Sequence, residues 1–230
     1  DMPLTNVASL LPYHNYVTGE RAVETINTMI DYVHEGNRLF YDIYSDADKQ
    51  ADSRKNNTGL FFFRGEPGRP FAIVCPGGGF SYVGAIHEGF PLAIALSRMG
   101  YNAFSIQYRT GGAQVACEDL AQAINFIMRH AEELQVSTED YSLWGGSAGA
   151  RMAAYLGSYS TQGFIDATHE RPAAVIMGYT GHSEYTQNDP PTYVIIGEDD
   201  AIANPATMRR RVENLQALGC LLYTSEAADE

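Results

Sequence analysis

The sequence lacks the signals that would define a membrane protein, a metalloprotein or a disulfide-stabilised domain. It has no run of about 18 apolar residues, so we expect no membrane span. Its three cysteines, Cys75, Cys117 and Cys220, are too few and too widely spaced for a disulfide framework. Neither they nor the six histidines follow zinc-ligand spacing, and no cofactor fingerprint occurs. We therefore expect no metal and no cofactor.

Positive charge is also scarce, with 15 Lys and Arg residues against 28 Asp and Glu residues and a net charge of -13. Such a surface repels phosphate groups, which argues against a nucleic-acid partner. No signal peptide is recognisable, and we expect a cytoplasmic protein. Because residue 1 is Asp rather than Met, the reading frame could begin earlier, and a secreted protein stays the alternative. The sequence leaves the oligomeric state open.

Short apolar runs alternate with segments of helical periodicity. Apolar runs predict strands at residues 38–44, 60–63, 71–75, 103–108, 141–144, 173–177, 193–196 and from 221 onward. Periods of three and four predict helices at residues 21–35, 91–99, 115–135, 148–156 and 208–218. This alternation indicates βαβ units and a mostly parallel sheet with helices on both faces, that is, an α/β fold.

We divide the chain into three parts. Residues 1–58 are interpreted as an irregular arm, a helix and a loop that pack on the core, and residues 59–219 as the core itself. Residues 220–230 include the polar stretch from Thr224, which is not typical of a strand. We expect this tail to be truncated or non-native, so that the last strand and helix of the fold are missing.

A glycine-rich turn joins a predicted strand to a predicted helix at Gly145-Gly146-Ser147-Ala148-Gly149. In a G-x-S-x-G turn of this kind the serine takes strained backbone angles, and its hydroxyl is exposed above the carboxyl edge of the sheet. A turn chosen for geometry alone is the structural alternative. A phosphate loop is less favoured, because no lysine follows the glycines. The context predicts Ser147 as a nucleophile.

A second glycine motif, Pro76-Gly77-Gly78-Gly79-Phe80, follows an earlier apolar run, with Gly78 lying 69 positions before Ser147. Consecutive glycines let main-chain N–H groups approach a substrate closely. A flexible loop without a chemical role is the alternative. Two glycine motifs in this order favour an oxyanion-binding loop.

With these motifs the sequence resembles the α/β-hydrolase superfamily, and within it the small esterases akin to hormone-sensitive lipase and acetylxylan esterase. The resemblance covers about residues 60–219, and Pro76 stands where many of those enzymes have histidine. It implies an α/β-hydrolase fold and an oxyanion hole formed by the N–H groups of Gly78, Gly79 and Ala148. The matching segments are residues 76–80, His87-Glu88-Gly89, residues 145–149 and Gly197-Glu198-Asp199-Asp200.

The resemblance also implies a catalytic acid three positions after Gly197, which is Asp200, with Asp199 as the second choice; an acidic surface loop is the alternative. The triad order in this fold is Ser, acid, His, yet no histidine follows His182 in the sequence. We therefore expect the catalytic histidine to be absent and the chain to be a fragment. His182 is a weak substitute for the base, with a surface or capping role favoured, and His87 is expected to fix the oxyanion loop or the next helix.

The expected function is a serine esterase that acts on a small-molecule ester, with acetylated carbohydrates as the class suggested by the resemblance. Without its histidine the 230-residue chain should be nearly inactive. Two other functions stay open. One is a serine peptidase of the prolyl-oligopeptidase type, although such enzymes usually carry a propeller domain. The other is a binding protein that keeps the fold without the chemistry.

Overall fold

The computed structural model describes residues 3–10 and 17–227. An eight-stranded sheet lies at the centre, in the order β1-β2-β4-β3-β5-β6-β7-β8. The strands are β1 (Phe40–Asp42), β2 (Gly59–Phe63), β3 (Pro70–Cys75), β4 (Asn102–Gln107), β5 (Ser137–Gly146), β6 (Ala174–Gly178), β7 (Thr192–Gly197) and β8 (Leu222–Ala227). β2 runs antiparallel to both β1 and β4, and every other pair is parallel.

Helices cover both faces of the sheet. They are α1 (Gly19–His34), α2 (Asp46–Ala51), α3 (Phe90–Arg98), α4 (Ala113–Arg129), α5 (Ala131–Leu134), α6 (Ala148–Tyr159) and α7 (Pro205–Ala217). Short 3-10 turns occur at Leu4–Leu10, Ser53–Asn57 and Thr161–Gly163, and a π-helical turn at Ala85–Gly89 precedes α3. No helix within residues 3–10 and 17–227 is both long and apolar enough to cross a bilayer.

Two apolar clusters lie on opposite faces of the sheet, because successive strand residues point to opposite sides. One packs α4 and α6 against strand residues such as Ile73 and Leu143, and the other packs α3 against residues such as Val74 and Ala103. A sheet buried on both faces needs near-continuous apolar strands, and five of the six residues of β3 are buried. The mostly parallel α/β sheet with helices on both faces is therefore confirmed.

The strand order reverses direction between β3 and β5. From β3 the chain passes to β4 on one side of the sheet and then returns to β5 on the other side, and the ends of the two strands pair at Cys75 and Gly145. Ligands of open α/β sheets bind outside the carboxyl ends of the strands at such a reversal. Both glycine motifs leave the sheet at this point.

The structure differs from the sequence-based expectation in two places. The helix predicted over residues 115–135 is interrupted at His130 and is followed by a separate turn of helix, α5. The strand predicted from residue 221 onward is β8, which pairs in parallel with β7 and reaches Ala227, so the expectation that the polar stretch from Thr224 forms no strand is wrong. A polar sequence can form this strand because the ladder uses main-chain groups. The division into three parts stays a prediction.

Candidate active site

Ser147 lies between β5 and α6 in a conformation that few L-residues adopt, with φ 52° and ψ -117°. Its amide N–H donates to the carbonyl oxygen of Gly178 at 2.9 Å, which fixes the bend to the neighbouring strand. The side chain is half-buried and makes no capping hydrogen bond to α6. The serine at this helix start therefore has no structural role as a capping residue, and within the described part of the chain its hydroxyl has no hydrogen-bond partner.

The glycines of this turn are required by close packing. A Cβ on Gly149 would overlap the carbonyl oxygen of Cys75, and one on Gly145 would overlap the backbone of Gly149. On the opposite face, a Cβ on Gly146 would meet the phenol ring of Tyr179. The turn therefore brings α6 against the end of β3 with no room for side chains, as expected from the G-x-S-x-G pattern.

The loop after β3 contacts the serine directly. A Cβ on Gly77 would lie 3.1 Å from Cβ of Ser147, so this loop and the serine are van der Waals neighbours. Gly78 and Gly79 have φ values of 137° and 59°, which glycine adopts without strain. The two motifs singled out in the sequence therefore meet at one point of the sheet edge.

The loop's hydrogen bonds determine where its N–H groups point. The carbonyl of Gly77 accepts from the Gly84 N–H at 2.9 Å, and that of Gly78 accepts from the N–H groups of Ser81 and Tyr82 at 3.0 and 3.2 Å. In a trans peptide the N–H points away from the carbonyl oxygen. The N–H groups that follow, those of Gly78 and Gly79, therefore point out of the turn. Ala148, the third predicted donor, is the first residue of α6, where N–H groups have no intrahelical acceptor.

Asp200 lies in the turn between β7 and α7. Its Oδ1 accepts from the N–H groups of Ile202 at 2.8 Å and Ala203 at 2.7 Å. Asp199 is exposed, whereas Asp200 is half-buried and held by these bonds. The register pairs Gly197 with Ala227, so the carboxyl end of β8 lies beside this turn. Between the two acids the geometry favours Asp200, because its carboxylate is fixed at the carboxyl edge of the sheet.

His182 is buried, with 2% of its surface exposed, so the surface role favoured from the sequence is wrong. Its ring packs edge-on against Tyr155 with centroids 4.7 Å apart. Burial, followed by the charges of Arg211 and Arg151, lowers its pKa to about 3. The described contacts of His182 do not include Ser147 or Asp200, and an imidazole with this pKa is a weak base near neutral pH.

His87 was expected to fix the oxyanion loop or the next helix, and its Nε2 lies 3.2 Å from the carbonyl oxygen of Val7 in the N-terminal 3-10 turn. The neighbouring Glu88 contacts the loop through Oε2, which accepts from the Gly77 N–H. Tyr108 also contacts the loop, because its hydroxyl donates to the Pro76 carbonyl at 2.7 Å. In the sequence, Glu88 belongs to the His-Glu-Gly element that matches the esterases, whereas no motif pointed to Tyr108.

The described residues contain no cluster of three or more His, Cys, Asp or Glu side chains that could hold a metal ion. The Sγ atoms nearest the site also lack the character of nucleophiles. Burial raises the pKa of the Cys117 thiol to about 12, and it raises that of Cys75 further still. Neither of these two thiols is therefore in a state that favours nucleophilic attack near neutral pH.

Comparison with known proteins places the chain in a family. The family described as BD-FAE matches residues 64–179, half of the chain. The chain belongs to the BD-FAE family. The matched segment runs from the end of β2 to Tyr179 and contains both glycine motifs, so the family assignment includes the loop and the serine turn. Asp200 lies outside it.

An acetylxylan esterase from Xylanibacter ruminicola is similar to part of this BD-FAE member. The two are 26% identical over 112 residues, which cover 48% of this chain and 23% of that protein. The match therefore spans about a quarter of the relative's length.

Solved structures resemble the chain more completely. An acetyl ester-xyloside bifunctional hydrolase from Caldicellulosiruptor lactoaceticus superposes with a TM-score of 0.72 at 17% identity, covering 83% of this chain and 86% of that one. A sugar hydrolase from Lactococcus lactis gives 0.66 at 20% identity, covering 84% of each chain. A thermophilic esterase from Thermogutta terrifontis gives 0.63 at 18% identity, covering 75% of this chain and 79% of that one. At these identities the likeness establishes the fold.

Proposed function

We propose that the protein is a serine carboxylic-ester hydrolase that acts on small acyl esters through an acyl-enzyme. The observation that carries this proposal is the strained Ser147, whose hydroxyl makes no helix-capping bond and which lies against the Gly77 loop. Strained backbone conformations persist where the surrounding structure enforces them, and they cluster at active sites. Neither a phosphate loop nor a plain structural turn requires a serine in this conformation.

The reaction has two half-reactions, formation of the acyl-enzyme and its hydrolysis. The Ser147 oxygen attacks the ester carbonyl carbon and loses its proton to a base, while the carbonyl oxygen becomes an oxyanion that accepts from the N–H groups of Gly78, Gly79 and Ala148. The bond to the alcohol breaks, and the alcohol leaves with the proton. Water then attacks the acyl-enzyme in the same way, which releases the acid and restores Ser147. Each oxyanion donor contributes about 3 to 4 kcal/mol to transition-state binding.

Among residues 3–10 and 17–227, which the structure describes, no base is hydrogen-bonded to Ser147. No histidine follows His182, and His182 is packed against Tyr155. The triad order would place the base after β8, whose end lies beside the turn of Asp200. We propose that the 230 residues alone hydrolyse esters slowly, with a residual acceleration of about 10³ to 10⁴ over water from the oxyanion hole and binding.

Acetyl groups on carbohydrates are the proposed substrate class. The support is the name of the relative from Xylanibacter ruminicola, an acetylxylan esterase, and that of the bifunctional acetyl ester-xyloside hydrolase with the same fold. The experiment compares release of acetate from acetylated xylo-oligosaccharides with cleavage of prolyl peptide substrates, using wild type and Ser147→Ala. Acetate release that Ser147→Ala abolishes supports the esterase, whereas Ser147-dependent peptide cleavage would favour the peptidase.

Added imidazole tests the role of the missing base. A serine that lacks its base should be assisted by imidazole in solution, because imidazole can accept the serine proton. We expect hydrolysis of p-nitrophenyl acetate to rise with imidazole more steeply for wild type than for Ser147→Ala, which reports the background reaction. Equal slopes for the two proteins would show that the serine takes no part.

A further inference from the structure

One peptide group of the oxyanion loop is held at both of its polar atoms. The carbonyl oxygen of Pro76 accepts from the hydroxyl of Tyr108 at 2.7 Å, and the N–H of Gly77 donates to Oε2 of Glu88 at 2.5 Å. These two atoms belong to the same planar unit, so the two side chains together fix the rotation of that plane. We call Tyr108 and Glu88 the loop clamp.

Both members of the loop clamp are themselves held in place. Tyr108 directly follows β4, is 3% exposed, and lies edge-on to Phe80 with ring centroids 6.5 Å apart. Glu88 lies in the π-helical turn before α3, and its own N–H donates to the Gly84 carbonyl at 2.8 Å. Tyr108 belongs to the buried apolar cluster that packs α4 and α6 on the sheet, so its ring cannot follow a movement of the loop without disturbing that packing.

The clamped peptide group directly precedes the two glycine donors. The planes that carry the Gly78 and Gly79 N–H groups are held through the carbonyls of Gly77 and Gly78. The Pro76–Gly77 plane sets the direction from which the chain enters them, because Pro76 has a fixed φ. A plane free to rotate would tilt the next two N–H groups away from the point where an oxyanion forms. A displacement of about 1 Å at such a position can cost about 100-fold in rate.

We propose that Glu88 and Tyr108 are positioning residues that orient the oxyanion donors of Gly78 and Gly79. The proposal rests on the esterase function proposed above. Glu88 acts here as a hydrogen-bond acceptor for the Gly77 N–H and exchanges no proton with the substrate. A glutamine keeps such an acceptor oxygen, and an alanine removes it, which separates this role from one that needs the carboxylate's charge.

The test is steady-state hydrolysis of p-nitrophenyl acetate by the 230-residue chain with imidazole present. We expect Glu88→Ala and Tyr108→Phe each to lower kcat about 10- to 100-fold at unchanged KM, because the donors act on the transition state. Glu88→Gln should restore most of kcat and leave the pH profile unchanged. The double variant Glu88→Ala/Tyr108→Phe should lose little more than either single variant, since both release the same peptide group.

Tyr141→Phe is the matched control. Tyr141 is 2% exposed and donates to the Glu170 carbonyl at 2.7 Å, the same kind of bond that Tyr108 makes, but from the middle of β5 to the segment before β6. It should show wild-type kcat. Circular dichroism and thermal unfolding check that each variant is folded. If Glu88→Ala does not fold, Tyr108→Phe, which loses only one hydroxyl, still tests the loop clamp.

Three results would overturn the loop clamp: wild-type kcat in both single variants, multiplying effects in the double variant, or a Glu88→Gln variant as slow as Glu88→Ala. The last result would assign Glu88 a role through its charge. Ser147→Ala measured in parallel separates the two hypotheses. If Ser147→Ala is as active as wild type, the esterase proposal fails; if it is inactive while the clamp variants are fast, only the loop clamp fails.

Discussion

The amide N–H of Ser147 donates to the carbonyl oxygen of Gly178, the last residue of the adjacent strand β6, at 2.9 Å. This bond holds the serine at φ 52°, where a side chain costs about 1 to 3 kcal/mol. Ser147→Gly should therefore be more stable than Ser147→Ala by about 1 kcal/mol, after the greater unfolded-state entropy of glycine is subtracted. Urea unfolding of the two variants measures the difference.

Ala148→Gly is the control for this comparison, since Ala148 begins α6. Glycine in a helix is destabilising by roughly 0.5 to 1 kcal/mol. If glycine raises the free energy of unfolding relative to alanine at position 147 and lowers it at position 148, the strain at Ser147 is established. If glycine lowers it at both positions, the strain is refuted.

The close approach of Gly149 to β3 gives a second prediction. A Cβ there would overlap the carbonyl oxygen of Cys75, so Gly149→Ala must displace α6 or the strand and should lower the free energy of unfolding by about 1 to 3 kcal/mol. Gly181→Ala is the matched control, because Gly181 is exposed and a Cβ there meets no atom within 4 Å. Similar stabilities of the two variants would contradict the packing described for the turn.

The buried His182 should make stability depend on pH. Burial and the nearby Arg211 and Arg151 lower its folded-state pKa to about 3, against about 6.5 in the unfolded chain. Between these values the unfolded state binds the extra proton, so the contribution of His182 is complete above about pH 6.5 and is lost as the pH falls toward 3. From pH 7.5 to 5.5 wild type should lose about 1 kcal/mol more than His182→Gln, measured by urea unfolding at both values. Equal losses would show that His182 titrates normally in the folded state.

The ion pair of Arg211 and Asp189 joins α7 to the segment between β6 and β7. The two side chains are 1% and 2% exposed with 2.5 Å between Nη2 and Oδ2, and Asp189 also accepts from the Ser158 hydroxyl of α6 at 2.6 Å. Asp189→Ala leaves a buried guanidinium unpaired and should lower the free energy of unfolding by about 3 to 5 kcal/mol.

The exposed pair of Lys49 and Asp42 provides the control for that prediction. The Asp42 side chain is 45% exposed, so Asp42→Ala should lower the free energy of unfolding by at most about 1 kcal/mol. Denaturant titration compares the two variants. Equal effects would contradict the burial assigned to Asp189.

Local patterns in the sequence predict the strands, most helices and both glycine motifs, because turns and amphipathic periods depend on neighbouring residues. The meeting of Gly77 with Ser147 follows from the fold, since parallel strands end at one edge of the sheet. The break after α4 was missed because it depends on His130 leaving the helical conformation, with φ -113° and ψ 17°. β8 was misjudged because an edge strand pairs through its backbone, whatever the polarity of Thr224.

Contacts of individual side chains with distant segments could not be predicted. The burial of His182 depends on Tyr155 and on Arg211 of another helix, and the bond between Tyr108 and Pro76 joins residues 32 positions apart. Single residues of this kind leave no periodic trace in the sequence. The hydrogen bonds that hold the Asp200 carboxylate could not be predicted either, and the choice of Asp200 over Asp199 as the acid stays a prediction from the resemblance.

The nucleophilic character of Ser147 can be measured directly by covalent labelling. The chain is treated with a fluorophosphonate in the presence of imidazole, and the modified peptide is identified by mass spectrometry, with Ser147→Ala and urea-unfolded protein as controls. We expect phosphonylation at Ser147 in the folded wild type and none at this position in either control. Labelling spread over other serines or tyrosines of the folded protein would contradict this prediction. So would a folded protein that stays unlabelled under conditions in which the same probe labels a known serine hydrolase.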